Sequence, residues 1–198
     1  RALGGDPAPQ VVKRLRVEYA VGGDVRSAEA KEGSTLTLKP SPLPLLRRAF
    51  MVPAGVVRAR IRATALGVYE LSLNGQPLGL DHLNPGWTDY AKRVRYQTYD
   101  VTTMLRPGKN VLGAWVGPGW FCGRAGLFGA RRYWGESPAF RMQLDMDLSD
   151  GTTRRVISDE QWRVRAGPME SSDIMEGEVY DSRAFPMGWT APTYDDRE

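Results

Sequence analysis

The stretch that decides the fold is FRMQLDMDLS, residues 140–149, in which apolar and polar side chains alternate without a break. Successive side chains of a β-strand point to opposite faces, so this pattern predicts a strand with one buried face. The next residues, Asp150-Gly151, are typical of a tight turn, and TRRVI at 153–157 follows as a second strand. The stretch as a whole predicts an antiparallel hairpin packed on a core.

The same period-two pattern extends towards the N-terminus. Residues 56–65 alternate arginine with apolar side chains, and YELSL at 69–73 alternates before Asn74-Gly75, a pair suited to a hairpin turn. RVRYQTY at 93–99 is another predicted strand. NVLGAWV at 110–116 is almost entirely apolar, which indicates a strand buried on both faces.

Helical periodicity is nearly absent. The single candidate is a turn or two at 100–105, with Asp100 as N-cap and Pro107-Gly108 ending it. Many short strands separated by polar turns predict an all-β protein, and specifically a jelly-roll-like antiparallel β-sandwich.

Three segments are expected along the chain. Residues 1–45 are rich in Gly and Pro and predict an extended N-terminal arm with one or two short strands, the candidates being Val11–Tyr19 and Ser34–Leu38. Residues 46–189 form the predicted sandwich. Residues 190–198, which contain Pro192 and end in acidic side chains, are expected to be an exit linker.

The charge balance argues against a nucleic-acid partner. The formal charge is +4, and 22 arginines outnumber 5 lysines. Many of the arginines alternate with apolar residues, as on the solvent face of a strand, and no basic helix or recognition motif accompanies them. No run of about 18 apolar residues is present, so no membrane partner is expected. The first residues lack the apolar core of a signal peptide, but a cleaved signal would leave no trace, and the compartment stays open.

Motifs of self-contained enzymes are missing. The chain has no Gly-x-Ser-x-Gly elbow, no phosphate-binding loop and no His-Glu-x-x-His. The single cysteine, Cys122, and the single histidine, His82, formally allow a nucleophile pair; the alternative is a partly buried thiol and a loop imidazole. Paired carboxylates are the other route to hydrolysis, and a sequence cannot place two of them across a scissile bond. No catalytic residue is therefore assigned.

Aromatic residues beside glycine or proline give the clearest functional pattern. Six Trp and eight Tyr are many for this length, and several stand in loops such as Pro85-Gly86-Trp87, Gly119-Trp120 and Tyr133-Trp134-Gly135. Flat rings in such loops stack on the apolar faces of sugars, while Asp, Asn and Arg bond the hydroxyls. The alternative is that these rings only fill the ends of the sandwich. The candidate carbohydrate-binding residues are Asn84, Trp87, Asp89, Tyr90, Trp120, Arg124 and Trp134.

One loop suggests a metal. Asp81, Asn84 and Asp89 offer the oxygen ligands that calcium prefers, although their spacing is not that of an EF-hand. A solvated loop is the alternative. No motif requires any other cofactor.

A longer set of motifs resembles a known family. GVYELSLNG at 67–75, LNPGWTDY at 83–90 and RVRYQTYDVT at 93–102 are followed by GKNVLGA at 108–114, GEVYDSR at 177–183 and Gly188-Trp189. In this order, from about Leu46 to Trp189, they resemble the N-terminal domain of bacterial α-L-rhamnosidases. Residues before Leu46 lie outside the resemblance, and Phe121-Cys122-Gly123-Arg124 departs from the more usual Tyr-Arg-Gly-Arg.

The resemblance implies a galactose-binding-like sandwich that precedes an (α/α)6 barrel in an inverting glycoside hydrolase, which removes terminal α-L-rhamnose from glycosides. The catalytic carboxylates of that family belong to the barrel, so the barrel is the expected partner and this chain is expected to be non-catalytic by itself. Bacterial members occur both in the cytoplasm and exported.

Three functions follow from these observations. The first is an accessory domain that supports the barrel or positions its substrate; the second is a calcium-dependent rhamnose-binding module; the third, remote, is a self-contained small hydrolase. In the motif Glu178, Asp181 and Arg183, arginine could pair with a carboxylate of another domain or internally, to fix the last strand. Both alternatives stay open on the sequence.

Overall fold

The computed structural model describes residues 12, 14–21, 24–31, 43–125 and 130–196. Contacts divide the chain into two compact units, Arg1–Ser41 and Pro42–Glu198. No helix among these residues has the length and apolar character needed to cross a bilayer. The strands are β1 Arg14–Val21, β2 Asp24–Lys31, β3 Pro44–Val52, β4 Val56–Leu66, β5 Val68–Leu73, β6 Gln76–Pro77, β7 Gln97–Asp100, β8 Gly108–Gly117, β9 Ala139–Leu148, β10 Thr153–Ile157, β11 Arg163–Ala166, β12 Met169–Asp173 and β13 Gly177–Tyr180. One short α-helix, α1 Gly119–Cys122, and a 3-10 turn at Ser182–Ala184 complete the elements.

The first unit contains an antiparallel pair. β1 and β2 pair from Arg14 opposite Lys31 to Val21 opposite Asp24. The sequence predicts a strand at Val11–Tyr19, and the strand in the structure begins three residues later and ends two residues later. The pairing strand β2 was not predicted. The predicted strand at Ser34–Leu38 lies outside the described residues.

The second unit is an antiparallel β-sandwich, as predicted. One sheet has the order β10-β9-β4-β7, and the other has the order β11-β3-β8-β5-β6, while β12 and β13 form a separate pair. The central pairs β4-β9 and β3-β8 join strands that are far apart in sequence. Such non-local antiparallel pairing is typical of sandwiches in which strands alternate between two sheets.

The core lies between the two sheets, where alternation places the apolar side chains. In β9, Met142, Leu144 and Met146 are at most 2% exposed, and in β4, Ala59 and Ile61 are fully buried. From the opposite sheet, β8 contributes Leu112 and Ala114, and β5 contributes Tyr69, Leu71 and Leu73. The arginines of β4 consequently lie on the outer face of the four-stranded sheet.

Strand β8 is covered on both faces, which explains its apolar sequence. Its outer side chain Trp115 packs against Tyr180, Phe185 and Trp189 at ring-centroid distances of 6.3–6.4 Å. Gly113 beside it allows Trp189 to approach, since a Cβ there would lie 3.0 Å from the indole and 2.3 Å from Thr190 Cγ2. Residues of the chain's last segment thus complete the second face of the five-stranded sheet.

The segment after Trp189, expected to be a linker, contacts the sandwich. Arg47 of β3 is only 5% exposed. Its guanidinium donates to the Trp189 carbonyl at 2.7 Å and to the Ala191 carbonyl at 3.3 Å, and it pairs with Asp196. The Tyr194 ring lies 5.6 Å from the same guanidinium. Up to Asp196, this segment packs along β3.

Two local predictions differ from the structure. The predicted strand at 93–99 begins only at Gln97, because the amides of Lys92 and Arg93 both donate to the Asp89 carbonyl in a turn. The predicted helix at 100–105 is a single turn, although Asp100 caps it as expected by accepting from the Thr102 amide at 3.0 Å. Helix α1 had no periodic signal because four residues are too few to show one.

Candidate functional site

Six aromatic side chains meet at one place on the sandwich, and this cluster is called the aromatic end. Trp87 and Trp120 are nearly parallel, with centroids 6.3 Å apart and planes inclined by 6°. Trp134 packs edge-on against Trp87, with ring centroids 6.1 Å apart. Tyr90 packs against Trp134, with ring centroids 5.3 Å apart. Phe121 and Tyr133 complete the set, against Tyr90 and Trp134 respectively.

A bend in the loop after β6 presents Trp87. The Tyr69 amide of β5 donates to the Asn84 carbonyl at 2.9 Å, which fixes the loop to the sheet. The Asn84–Pro85 peptide is cis, and Gly86 has φ +88° with its amide bonded to the Leu83 carbonyl at 3.0 Å. Gly86 therefore adopts a conformation that favours glycine, and Trp87 follows directly.

Helix α1 presents Trp120 beside Trp87. Gly119, at φ +49°, lies so close to β5 that a Cβ would sit 2.7 Å from Val68 Cγ1. The Trp134 amide donates to the Phe121 carbonyl at 3.3 Å, so the returning loop is held against α1. The departure from the motif that the resemblance implies lies here: Phe121 and Cys122 are both only 8% exposed, and the Phe121 ring packs edge-on against Tyr90.

The surface of the aromatic end is open to solvent. Trp87 is 56% exposed and Tyr133 68%, while Trp120 and Trp134 are half-buried. Tyr90 is half-buried, burial raises the pKa of its hydroxyl, and this hydroxyl has no partner among the described residues. An exposed indole backed by fixed rings is a flat apolar platform.

Arg124, also predicted as a sugar ligand, is held by two acidic residues. Its amide donates to Asp173 at 2.7 Å, and its guanidinium pairs with Glu176 at 2.8 Å. Arg131 pairs with the same two carboxylates. Burial alone would raise the pKa of Asp173, but amide hydrogen bonds from Arg124, Met175 and Glu176 hold it below its usual value. Arg124 is thus engaged in a structural network, with its Nε atom buried and unpartnered.

Two of the three candidate calcium ligands, Asn84 and Asp89, bond within their own loop. Asn84 is buried, and its amide group donates to the Asp81 carbonyl at 3.1 Å. Asp89 accepts from the Ala91 amide at 3.2 Å and pairs with Lys92 at 3.1 Å. Within the described ranges, no three His, Cys, Asp or Glu side chains form a group that could hold a metal.

The motif near the C-terminus forms an internal pair. Arg183 makes two hydrogen bonds to the Asp181 carboxylate, at 2.8 and 2.7 Å, and that carboxylate also accepts from the Arg183 amide. Glu178 accepts from the Ser172 hydroxyl at 3.3 Å. This pair is local, and the Arg183 side chain is 88% exposed, so the pair favours neither alternative and the interdomain contact stays a prediction.

Neither Cys122 nor His82 is arranged as a nucleophile. Burial raises the pKa of the Cys122 thiol to about 11, and its Sγ contacts the Pro118 carbonyl at 3.7 Å. A thiol with such a pKa is protonated and weakly reactive near neutral pH. His82 is exposed and lies 3.8 Å from Glu70.

A second concave surface lies on the outer side of the five-stranded sheet, with a volume of about 410 Å³. Glu70, Trp115, Glu178 and Tyr180 line it, with Trp115 and Tyr180 stacked at 6.4 Å. Only Glu178 of these residues was predicted from the sequence, because Glu70, Trp115 and Tyr180 come from three strands that are distant along the chain.

Of the predicted sugar ligands, the structure brings together Trp87, Tyr90, Trp120 and Trp134. Phe121 and Tyr133 were missed, although both adjoin predicted residues in the same glycine-flanked motifs. Asn84 and Arg124 are instead engaged in holding the loops that carry the rings.

Comparison with known proteins places this fold in a family. The family model for the α-L-rhamnosidase N-terminal domain matches residues 54–198. The chain belongs to that family. A curated α-L-rhamnosidase of Streptomyces avermitilis is 53% identical over 153 residues, which cover 77% of this chain and 15% of that protein. An α-L-rhamnosidase of Formosa agariphila is 37% identical over 155 residues, covering 77% of this chain and 16% of that protein.

Solved structures agree with this assignment. The crystal structure of the S. avermitilis α-L-rhamnosidase in complex with L-rhamnose superposes with a TM-score of 0.76 at 51% identity, over 79% of this chain and 15% of that one. The structure of an Aspergillus terreus α-L-rhamnosidase also superposes with a TM-score of 0.76, at 37% identity, over 83% of this chain and 19% of that one. The chain therefore spans less than a fifth of the rhamnosidases that it resembles.

Proposed function

We propose that this α-L-rhamnosidase N-terminal domain is the non-catalytic accessory module of an α-L-rhamnosidase, and that its aromatic end binds terminal L-rhamnose. The hydrolysis of terminal α-L-rhamnose from glycosides belongs, in this proposal, to an (α/α)6 barrel elsewhere in the same polypeptide. The small share of each relative that the chain matches supports this division, as does the weak reactivity of the Cys122 thiol.

The observation that carries the proposal is the half-exposed indole of Trp87, fixed against Trp120 and Trp134. L-Rhamnose is a 6-deoxy sugar, so its methyl group and C–H face can pack on an indole, whereas glucose carries a hydroxymethyl group there. Because neighbouring rings already fix Trp87, binding requires little further loss of side-chain freedom. The S. avermitilis relative was solved with L-rhamnose, which gives the sugar to test first.

Thermal unfolding with L-rhamnose, with glucose as control, tests the proposal. A ligand at a hundred times its dissociation constant stabilises the folded state by about 2.7 kcal/mol. For a domain of this size, that corresponds to a melting shift of roughly 5–10 °C. Trp87→Ala should abolish the shift, while Tyr180→Ala, in the second concave surface, should retain it. No shift with L-rhamnose, or a shift lost only with Tyr180→Ala, would contradict the assignment of the site.

A chelator arm decides whether calcium takes part. If the shift persists in EDTA, binding rests on the protein's own side chains without a metal ion. If EDTA abolishes it and calcium restores it, the loop of Asp81, Asn84 and Asp89 rearranges around the ion, and the calcium-dependent alternative replaces the simpler one.

A further inference from the structure

The outer face of the four-stranded sheet carries a groove lined with arginine. Arg58, Arg60 and Arg62 of β4 point outwards beside Arg141 of β9 and Arg155 of β10. The groove comprises two concave parts of about 440 and 280 Å³, which share Arg62 and Arg155. It is separate from the aromatic end, since none of the aromatic end's six residues lines it.

Acidic side chains compensate only part of this charge. The Asp145 carboxylate forms ion pairs with two of the arginines, Arg62 at 2.8 Å and Arg155 at 2.6 Å. Burial alone would raise the pKa of Asp145, but hydrogen bonds from Arg155 and Gln143 hold it below its usual value, so it stays ionised. The Asp147 carboxylate accepts from the Thr153 hydroxyl at 3.0 Å. The five arginines and two aspartates that line the groove, together with Asp100 of β7, which interacts with Arg58 and Arg60, leave a formal charge of +2.

Three of the arginines make no side-chain hydrogen bond or ion pair in the part of the chain that the structure describes: Arg58, Arg60 and Arg141. Asp100 on the neighbouring strand β7 lies opposite Arg60 and interacts electrostatically with Arg58 and Arg60, so Arg141 is the arginine that is most available to a ligand. In the larger part of the groove, the lining side chains include Arg62, Arg141 and Arg155 and no acidic residue. The backbone there is rigid because β4, β9 and β10 pair along their lengths.

An aromatic side chain stands in the same part of the groove. Tyr96 is 63% exposed and lines it, and the Thr64 hydroxyl donates to the carbonyl of the preceding residue, Arg95, at 2.5 Å. Ile157 adds an apolar contact and is 43% exposed. A tyrosine ring beside guanidinium groups matches a sugar whose pyranose ring carries a carboxylate. The pyranose can stack on the Tyr96 ring, and an arginine can bind the carboxylate with two hydrogen bonds.

We propose that this groove binds anionic oligosaccharides, specifically chains that contain uronic acids. Arg141 and Tyr96 are the specificity-determining residues, and Arg58 and Arg60 contact further charges along the sheet. A neutral glycan would leave the free guanidinium groups unused. Double-helical nucleic acid does not fit as well, because the groove is formed by the flat face of a sheet and presents no helix or ribbon to a base-pair groove.

Calorimetric titration with short oligogalacturonides tests the proposal, and the same oligomers with methyl-esterified carboxylates are the control. The acidic oligomers should bind, with affinity falling at high salt as screening requires, and the esterified oligomers should not. Arg141→Gln should weaken binding about tenfold, the loss expected for one charge-assisted hydrogen bond. Tyr96→Ala should also weaken it.

The matched control is Arg106→Gln, which removes the same charge from an exposed loop outside the groove. It should leave the affinity unchanged, and Arg141→Gln should leave the melting temperature unchanged because that side chain has no described partner. Equal binding of the esterified oligomers, equal losses from Arg106→Gln and Arg141→Gln, or tighter binding of duplex DNA than of oligogalacturonide would each overturn the proposal.

Discussion

Gly113→Ala tests whether the C-terminal segment is part of the sandwich. The added Cβ would lie 2.3 Å from Thr190 Cγ2 and 3.0 Å from the Trp189 ring, both too close for a normal contact. The strand cannot yield, because Gly113 lies in the middle of β8 and pairs with Arg47 on one side and Ser72 on the other. Trp189 and Thr190 must therefore move away from the sheet.

The cost follows from what Trp189 buries. Overpacking alone typically costs about 1–3 kcal/mol. If the indole left the sheet completely, an apolar area of roughly 150–250 Å² at about 25 cal/mol per Å² would be lost, an upper limit of about 4–6 kcal/mol. We expect a loss of about 3 kcal/mol, which for a domain of this size lowers the melting temperature by roughly 6–12 °C.

Urea and thermal unfolding measure this loss, and the tryptophan emission of the folded variant should shift to longer wavelength as Trp189 meets water. Adding Thr190→Ala to Gly113→Ala should restore part of the stability, because it removes the nearer of the two clashes. Gly151→Ala is the control: its Cβ meets no atom within 4 Å, so only its φ of +83° opposes the change, at about 1–2 kcal/mol. A Gly113→Ala protein that melts within about 1 °C of the original would refute the packing of this segment.

Three further results are expected. The Cys122 thiol, with its pKa raised to about 11, should react with a thiol reagent at pH 8 only after unfolding, and rapid stoichiometric labelling of the folded chain would show that the α1 region is open. Asp173→Asn should lower stability at pH 7 but not well below pH 4. The folded protein holds the pKa of Asp173 below its value in the unfolded chain, so the carboxylate stabilises the fold above the unfolded pKa, and this stabilisation is lost as the pH falls through the folded pKa. An equal loss of stability at both pH values in urea titrations would contradict that account. Leu144→Ala, at a fully buried position, should cost about 2–5 kcal/mol by urea denaturation, whereas Leu80→Ala, at a 94% exposed position, should cost less than about 0.5 kcal/mol.

Local patterns were sufficient for most of the sandwich. The alternation at 140–148 placed Met142, Leu144 and Met146 in the core, and Asp150-Gly151 formed the expected turn. The apolar run of β8 correctly indicated burial on both faces, although not what covers them. That information is non-local: Trp189 reaches Trp115 from more than seventy residues away.

The sequence was sufficient to predict the aromatic residues of the candidate site but not the roles of its polar residues. Trp87, Trp120 and Trp134 carried a signal because each stands next to glycine or tyrosine in a loop, and loops at one end of a sandwich converge. Asn84 and Arg124 were predicted as polar groups that bond sugar hydroxyls, yet their side chains bond the Asp81 carbonyl and Glu176 instead. A polar side chain in a loop can bind a ligand or can hold the loop in its conformation. Only the hydrogen-bond partners seen in the structure distinguish these two roles. The arginine groove was read from sequence as an ordinary solvent face, because pairing between β4, β9 and β10 is what gathers its charges.

The most direct test of the central claim is an NMR titration of the indole N–H groups with L-rhamnose. The six tryptophans report on separate regions: Trp87, Trp120 and Trp134 at the aromatic end, Trp115 in the second concave surface, and Trp162 and Trp189 in the packing of the sandwich. Binding at the aromatic end predicts saturable shifts of the Trp87, Trp120 and Trp134 signals, with the other three unchanged. A shift centred on Trp115, or no shift at saturating sugar, would contradict it.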